Sequence, residues 1–315
     1  MVHIFYNSNG QILTAESTDI LKQITTRDAL WLDLFDPDGD EKKEVEEFLG
    51  VNLQSRAQAE EIESSSRYFE TAKYISINTD FLIPGPENYS MESVSFMLTG
   101  NTFTSIRQVP LRSFTDIQRR MVANSRLYPT GFHILCGILE NRTDLDADMI
   151  ELMSKEIAQY SRRVSLGEDV GEDFLIDINQ LQENTMIVRE NVVDKQRMMS
   201  SLLKSDKTPK SVTAKFNIML KDVNSLINHT NFSFERLEYL QNTVLGLINL
   251  EQNKIMKIFT VVSLLLMPPT LIASIYGMNI KLPLVGGNWD MLVTASLMVL
   301  TVIMAIFIFR KRKMM

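Results

Sequence analysis

Two hydrophobic segments in the last quarter of the chain dominate its pattern of apolar and polar positions. The first, Ile258–Tyr276, and the second, Met291–Phe309, each contain 19 residues and no charged residue. A helix of about 20 apolar residues is long enough to cross the hydrocarbon core of a bilayer. The pattern therefore predicts two transmembrane helices, at 258–276 and 291–309, joined by a short loop at 277–290.

The first hydrophobic segment and the residues just before it carry a stripe of small, polar and sulfur-containing side chains. Its members recur at alternating steps of three and four, as positions on one face of an α-helix do. They are Asn253, Met256, Thr260, Ser263, Met267, Thr270, Ser274 and Gly277. Two interpretations stay open here. The stripe packs against a neighbouring helix, since small residues allow close approach, or several copies of it surround a path for a polar solute.

The chain before residue 258 has the pattern of a water-soluble protein. Apolar residues at helical spacing predict helices at Asp40–Leu49, Phe114–Ala123, Gly131–Ser165 and Glu172–Lys204, and then one helix from Ser211 to Tyr276. Alternating or β-branched runs between Pro- and Gly-containing turns predict strands. The strand candidates are His3–Tyr6, Gln11–Ala15, Ala29–Phe35, Tyr68–Leu82, Ser93–Leu98 and Thr102–Arg107.

These elements predict an α+β cytoplasmic domain, with a mixed sheet and helices, followed by a long stalk helix and two C-terminal transmembrane helices. The predicted division is 1–125 α/β domain, 126–208 helical hairpin, 209–257 stalk, 258–276 first transmembrane helix, 277–290 external loop, 291–309 second transmembrane helix and 310–315 basic cytoplasmic tail.

Basic residues determine the predicted orientation in the membrane. Arg310, Lys311, Arg312 and Lys313 follow the second segment directly, while Lys254 and Lys257 precede the first. Because basic residues flank the cytoplasmic ends of membrane helices, we expect a multi-pass protein of the inner (plasma) membrane with both termini in the cytoplasm. The start of the chain lacks the basic start, apolar run and cleavage site of a signal peptide.

Composition argues against several classes of function. The 315 residues carry a formal net charge of −7, whereas a nucleic-acid partner requires a basic face. The single cysteine, Cys136, excludes an intrachain disulfide, and the three histidines are too scattered to suggest a metal-ligand cluster. Because no phosphate-binding loop or catalytic constellation is visible, we expect neither an enzyme nor an organic cofactor.

The end of the first hydrophobic segment carries a family resemblance. It reads Tyr276-Gly277-Met278-Asn279, closes a proline-containing helix and precedes a second membrane helix. With the preceding strings N-K-I-M-K-I-F-T and L-M-P-P-T-L-I-A-S-I-Y, and W-L-D-L-F-D-P near the N-terminus, this resembles the CorA family of divalent-cation channels. The resemblance implies a homo-oligomer, a pentamer, embedded in the lipid bilayer, and passive transport of Mg²⁺ with Co²⁺ and Ni²⁺ as further substrates.

The resemblance assigns Gly277, Met278 and Asn279 to the ion entrance. Mg²⁺ gives up its water reluctantly, so a ring of neutral Asn279 amide oxygens suits a hydrated ion. The alternative is that Gly277 and Asn279 only end the helix and have no role in transport. The resemblance also assigns residues to the pore lining and gate. They are Asn253, Met256, Phe259, Thr260, Ser263, Met267, Pro268 and Thr270.

Two residue types in that lining suggest how the pore closes. Met267 on the stripe would form a narrow apolar ring, and such a constriction can close by dewetting. Phe259 stands where relatives usually have leucine, so this gate position is bulkier. Pro268 and Pro269 remove backbone donors and are expected to bend or loosen the helix locally.

Regulation by cytoplasmic Mg²⁺ is implied only by the resemblance. The string Leu220-Lys221-Asp222-Val223-Asn224 resembles the stretch of the family that binds regulatory Mg²⁺, so Asp222 is a candidate sensor ligand. Glu70 and Asp80 are the candidates for a second ligand from the α/β domain. The alternative is that Asp222 is an exposed acid of the stalk.

The external loop departs from the family, where many relatives carry an acidic loop. Here it contains Lys281 and one acid, Asp290, so attraction of cations at the mouth is expected to be weaker. A Zn²⁺ transporter of the same superfamily therefore remains an alternative to a Mg²⁺ channel. A third hypothesis, from another class, is a membrane-tethered coiled-coil interaction protein without a pore.

Overall fold

The computed structural model describes residues 1–8, 10–59, 67–85, 88–167, 171–278 and 290–311. The chain divides into two compact units. The first comprises Met1–Glu168 and Glu172–Leu240, and the second comprises Asp169–Gly171 and Gln241–Met315. We refer to them as the cytoplasmic unit and the membrane unit, after the locations that the sequence predicts for them.

The cytoplasmic unit contains a mixed seven-stranded sheet. Its strands are β1 Val2–Ser8, β2 Gln11–Ala15, β3 Ala29–Phe35, β4 Tyr68–Glu70, β5 Tyr74–Ile83, β6 Ser90–Thr99 and β7 Thr102–Arg107. The spatial order is β2-β1-β3-β7-β6-β5-β4. Only the central pair β3–β7 is parallel among these neighbours.

The predicted strand Tyr68–Leu82 is divided into two strands, and this part of the prediction is wrong. A turn at Thr71–Lys73 separates β4 from β5, which then pair with each other. The Thr71 N–H donates to the Tyr74 carbonyl at 2.9 Å. The Thr71 hydroxyl accepts from the Tyr74 N–H at 3.1 Å. A threonine hydroxyl that bonds local backbone in this way stabilises a turn.

The helices are α1 Gly39–Leu49, α2 Arg56–Ala59, α3 Arg112–Ala123, α4 Gly131–Ser165, α5 Glu172–Lys204, α6 Lys210–Tyr276 and α7 Asp290–Lys311. Short 3₁₀ turns lie at Thr18–Lys22 and Ser125–Leu127. The bounds of α4 and α5 agree with the prediction, and α6 begins one residue earlier than predicted. Helical conformation in α6 continues through Pro268 and Pro269.

One face of the sheet is packed by an aromatic core. Trp31, Phe103 and Phe114 are fully buried, and the Trp31 ring lies 5.9 Å from each of the other two. Helix α4 begins against this layer at Gly131, whose N–H donates to the Asn101 carbonyl at 2.7 Å. A Cβ on Gly131 would lie 2.5 Å from the Phe103 nitrogen, so only glycine allows this approach.

The other face is covered in part by α1. Asp38 caps the start of this helix by accepting from the Asp40 and Glu41 N–H groups, and the Glu41 side chain completes a capping box. Gly50 ends the helix with φ +64°, a left-handed conformation that favours glycine. These local signals explain why the helix predicted at Asp40–Leu49 forms and stops there.

A buried ion pair joins the two parallel strands at the centre of the sheet. The Arg107 guanidinium donates to both Asp33 carboxylate oxygens, at 3.2 Å through Nε and 2.8 Å through Nη2. Ser105 and Gln118 also donate to this carboxylate, at 2.8 and 3.0 Å. Because its acceptors are satisfied, a carboxylate with no solvent exposure is tolerated.

A second buried charge cluster joins α4 to α5. Lys195 Nζ lies 2.9 Å from Asp146, and Arg142 lies 2.5 Å from the same carboxylate. Lys195 also donates to Asn191 Oδ1. Removal from water favours the neutral amine, so burial lowers the pKa of Lys195 despite the nearby Asp146.

The membrane unit contains two helices that are long and apolar enough to cross a membrane, judged by length and composition. They are the C-terminal part of α6 and nearly all of α7. Both were predicted. Most of their large apolar side chains are exposed, and the buried ones include Val261 and Phe309.

Candidate functional site

The predicted stripe lies along an uncovered face of α6. Met256 and Met267 are 60% and 62% exposed, and Phe259 is 67% exposed. Asn253, Thr260, Thr270 and Ser274 are also exposed, and Ser263 is half-buried. All of them belong to the membrane unit and to one continuous helix.

A different face of the same helix is partly covered. Val261 is buried, and Leu265, Pro268, Ile272 and Tyr276 are half-buried. Helix α7 has a matching series at helical spacing. Its members are Thr294, Met298, Thr301, Val302, Ala305 and Phe309. The most buried residue of the α6 series, Val261, stands at its N-terminal end, and that of the α7 series, Phe309, stands at its C-terminal end. This arrangement is expected when two antiparallel helices pack together.

The covered face and the stripe lie on roughly opposite sides of α6. At 3.6 residues per turn, Val261, Leu265 and Ile272 fall on one side, and Met267 and Thr270 fall on the other. The stripe is therefore not what packs against α7 within one chain. Pro268 differs from the other predicted pore residues, because it is half-buried on the covered side.

The threonines of the stripe use their hydroxyl hydrogens inside the helix. Thr260 Oγ1 donates to the Met256 carbonyl at 2.7 Å, and Thr270 Oγ1 donates to the Leu266 carbonyl at 2.7 Å. The lone pairs of these oxygens stay available as acceptors. An exposed row of neutral acceptors and thioethers can contact the water shell of a cation without replacing it.

The predicted entrance is described only in part. Gly277 follows the last residue of α6, and its N–H donates to the Ala273 carbonyl at 2.9 Å. The Met278 N–H donates to the Ile275 carbonyl at 3.3 Å, which tightens the end of the helix. Asn279 and Lys281 lie outside the described residues, so their predicted roles stay predictions.

The three predicted sensor residues are not brought together within one chain. Glu70 lies 3.7 Å from Lys207 and accepts a hydrogen bond from Tyr68 at 2.9 Å. Asp80 lies 2.9 Å from Arg67. Asp222 is exposed on α6 and forms no ion pair within the described part of the chain. Among the described residues, no three His, Cys, Asp or Glu side chains are grouped to hold a metal ion.

Asp80 belongs to an arrangement that the sequence did not reveal. Arg67 bridges it to Asp194 of α5, with Nη1 2.7 Å from the Asp194 carboxylate. Burial raises the pKa of Asp194, and the Arg67 charge opposes that effect. Arg67 lies before β4, and Asp194 lies within an ordinary helical pattern, so no local signal connects them. As a set, Glu70, Asp80 and Asp222 do not fit a metal site within one chain.

Comparison with known proteins agrees with this architecture. A family model described as CorA-like Mg²⁺ transporter protein matches residues 27–311. The magnesium transport protein CorA of Wolinella succinogenes is 35% identical over 320 residues, covering 99% of this chain and 99% of that protein. The magnesium transport protein CorA of Campylobacter jejuni is 32% identical over 324 residues, with the same coverage.

The likeness extends to a solved structure. The complete structure of the CorA magnesium transporter from Methanocaldococcus jannaschii matches with a TM-score of 0.81 at 19% identity, covering 98% of this chain and 97% of that chain. The family-model match includes most of the sheet, all of α6 and all of α7. The chain therefore belongs to the CorA family, whose members are transporters and not enzymes, as its sequence predicted.

Proposed function

We propose that this chain is one subunit of a homo-oligomeric, pentameric channel through which hydrated Mg²⁺ crosses the plasma membrane passively. One observation carries the proposal. The stripe from Met256 to Ser274 lies on the side of α6 opposite its partly covered face, so it is left uncovered in a single chain. The Thr260 and Thr270 hydroxyls keep acceptor lone pairs on this face, and around a common axis they would line a wet path.

The chemistry of that path suits a hydrated ion. Mg²⁺ keeps several waters because it dehydrates reluctantly, and Thr260 and Thr270 present acceptor oxygens to those waters. At the outer end, a ring of Asn279 amides would act as a neutral collar. Between these polar positions, the thioethers of Met256 and Met267 would form apolar rings that close by dewetting.

We propose that Asp222 is the ligand in this chain that senses cytoplasmic Mg²⁺, together with groups of a neighbouring subunit. Its carboxylate is exposed and carries no ion pair among the described residues. Glu70 and Asp80 already have cationic partners, Lys207 and Arg67, in their own chain, so they are left out of the proposal. Helix α6 carries both Asp222 and the stripe, which supports a mechanical connection between sensor and pore.

The deciding experiment measures Mg²⁺ uptake into proteoliposomes. We expect uptake by the wild-type protein and loss of most of it in Asn279→Ala, because the collar that orders the water shell is removed. Asn288→Ala, which removes an amide from the same loop, is the matched control and should keep wild-type uptake. Equal uptake by the two variants would contradict the role of Asn279. Absence of uptake by the wild type would favour the alternative of a membrane-tethered coiled-coil interaction protein without a pore.

The same vesicles decide the substrate. The external loop, whose only charged residues Lys281 and Asp290 cancel, is the sequence feature that keeps Zn²⁺ open as an alternative. Competition by Co²⁺, Ni²⁺ and Zn²⁺ against Mg²⁺ uptake should show Mg²⁺ preference, with Co²⁺ and Ni²⁺ as weaker substrates. A preference for Zn²⁺ would show that Zn²⁺, and not Mg²⁺, is the substrate. The proposed ion path along the stripe would still stand.

A further inference from the structure

A cavity of about 280 Å³ lies in the cytoplasmic unit, where α3, the turn after it, α4 and the start of α6 meet. It is unrelated to the stripe, and every residue around it is described. The lining residues are Arg120, Ala123, Asn124, Leu127, Tyr128, His133, Gly137, Glu140 and Lys215. Four separate elements thus contribute polar groups to one concave surface, which is the usual form of a small-ligand site.

The wall of the cavity depends on a glycine. A Cβ on Gly137 would lie 3.0 Å from Tyr128 Cε1 and 3.2 Å from Ile117 Cδ1. The missing side chain therefore lets the Tyr128 ring pack directly on α4, with its hydroxyl at the cavity. Burial raises the pKa of Tyr128, so the phenol keeps its hydrogen. Tyr128 lines the cavity together with Arg120, so the phenol hydrogen can be donated to a ligand held there.

The cavity is cationic in an otherwise acidic chain. Arg120 and Lys215 face one acid, Glu140, while the whole chain has a net charge of −7. Within the described part of the chain, no carboxylate pairs with Arg120. Lys215 lies 3.9 Å from Glu140, but both side chains are more than half exposed. Such a pair is weak, so it leaves Lys215 able to turn toward a stronger acceptor.

His133 adds a neutral donor. Its Nδ1 lies 2.8 Å from the Thr130 hydroxyl. Burial, and then the Lys215 charge, lower the pKa of His133, so the ring is neutral at physiological pH. We assign the tautomer in which Thr130 donates to Nδ1, which puts the ring hydrogen on Nε2. The cavity then offers two cations and two neutral donors, against one carboxylate.

We propose that this cavity binds a phosphate monoester group. Arginine and lysine are the usual partners of a phosphate dianion, and Tyr128 and His133 supply hydrogen bonds to its remaining oxygens. The volume is at the lower end of ligand pockets, so the ligand is a small phosphorylated molecule or the headgroup of a phospholipid. A bound phosphate would join Arg120 of α3 to Lys215 of α6, the helix that continues to the stripe.

The test is a titration of the full-length protein in detergent with inorganic phosphate. Calorimetry measures binding, and thermal unfolding measures the stability of the protein at each phosphate concentration. Metal ions are removed and ionic strength is held constant with chloride. We expect saturable binding by wild type and a rise in unfolding temperature, because a ligand that binds only the folded state stabilises it. Lys215→Gln and Arg120→Ala should each weaken binding by about tenfold, as expected for the loss of one charge-assisted hydrogen bond.

Two further variants separate binding from general damage. Arg119→Ala removes the neighbouring charge on α3, which does not line the cavity, and it should bind like wild type. Glu140→Gln removes the one repulsive carboxylate and should bind phosphate more tightly, which a merely damaged fold would not do. Absence of saturable binding by wild type, or equal weakening in Arg119→Ala, would overturn the proposal.

The source of the phosphate is decided by two arms of the same experiment. One uses soluble glycerol 3-phosphate, and the other uses nanodiscs of phosphatidylcholine with or without phosphatidic acid. If glycerol 3-phosphate binds and raises the unfolding temperature of the wild type but not of Lys215→Gln, the ligand is a soluble metabolite. If only nanodiscs with phosphatidic acid raise the unfolding temperature, the ligand is a lipid headgroup. If neither elicits a response, the proposal fails. Mg²⁺ uptake is not measured here, so that failure would leave the proposed channel function untouched.

Discussion

In the cytoplasmic unit, Asp33 and Lys195 are charged yet at most 1% exposed, whereas in the membrane unit Met267 and Met304 are apolar yet 62% exposed. The buried charges have partners in the same chain, at 2.8 Å for Asp33 with Arg107 and 2.9 Å for Lys195 with Asp146. The exposed methionines have no such cover. The cytoplasmic unit thus pairs its buried charges by itself, while the membrane unit leaves much of its apolar surface uncovered within the chain.

The comparison suggests a rule for assigning roles. A polar group whose partners all lie in its own chain serves the fold, as Asp33 does. A group with binding capacity left over is available to an ion, to another subunit or to a ligand. Asp222 has no ion pair among the described residues, and the stripe threonines keep acceptor lone pairs on an uncovered face. Three predictions examine this rule, and the variants are paired so that one member should respond and the other should not.

The largest expected effect is on the buried ion pair of the sheet. Asp33→Ala leaves the Arg107 charge buried without its carboxylate, so we expect a loss of about 3–5 kcal/mol in the free energy of unfolding. The comparison variant is Asp19→Ala, whose pair with Lys22 is more than two-thirds exposed, so solvent screens it and its loss should change the free energy of unfolding little. Denaturant unfolding of the solubilised protein measures both, and equal losses would contradict the assignment of Asp33 to the fold.

A smaller effect is expected in the membrane unit, on transport and not on stability. Met267 and Met304 have the same exposure in one chain, but Met267 lies on the stripe of α6 and Met304 lies on α7. Met267→Asn should wet the proposed apolar ring and raise Mg²⁺ uptake several-fold when internal Mg²⁺ is high. Met304→Asn should not raise it. If both variants leak alike, the stripe does not line the path.

The smallest effect concerns the two acids proposed from the sequence as sensors. Asp222→Ala should raise the internal Mg²⁺ concentration needed to stop uptake, because it removes a carboxylate that would bind the ion and that forms no ion pair with any residue the structure describes. Glu70→Ala removes a carboxylate that already faces Lys207, so the inhibitory concentration should stay at its wild-type value. A shift in Glu70→Ala, with none in Asp222→Ala, would reverse the assignment.

Local patterns explain why some elements were predictable. The apolar spacing and the start and stop signals of α4 and α5 lie within each helix, and their predicted bounds agree with the structure. The division between β4 and β5 was missed, since the short turn made by the Thr71 hydroxyl interrupts a continuous β-rich run. The uncovered stripe was found because its members repeat along one helix.

Contacts between distant elements were not predictable in the same way. Arg67, Asp80 and Asp194 meet because the edge of the sheet packs against α5, and Arg120 and Lys215 face one cavity although α3 and α6 are far apart in the chain. In each case the spacing of these residues along the sequence carries no information about their contact in the fold.

The sequence by itself determined the two hydrophobic segments, the stripe and most of the helices, because each follows from the periodicity of neighbouring residues. Only the tertiary structure decided that the side of α6 away from the stripe is partly covered, that β3 and β7 are parallel neighbours, and that Asp80 is held by Arg67. These outcomes depend on which surfaces meet when separate elements pack. That choice is made by the energetics of the whole fold and not by any single segment.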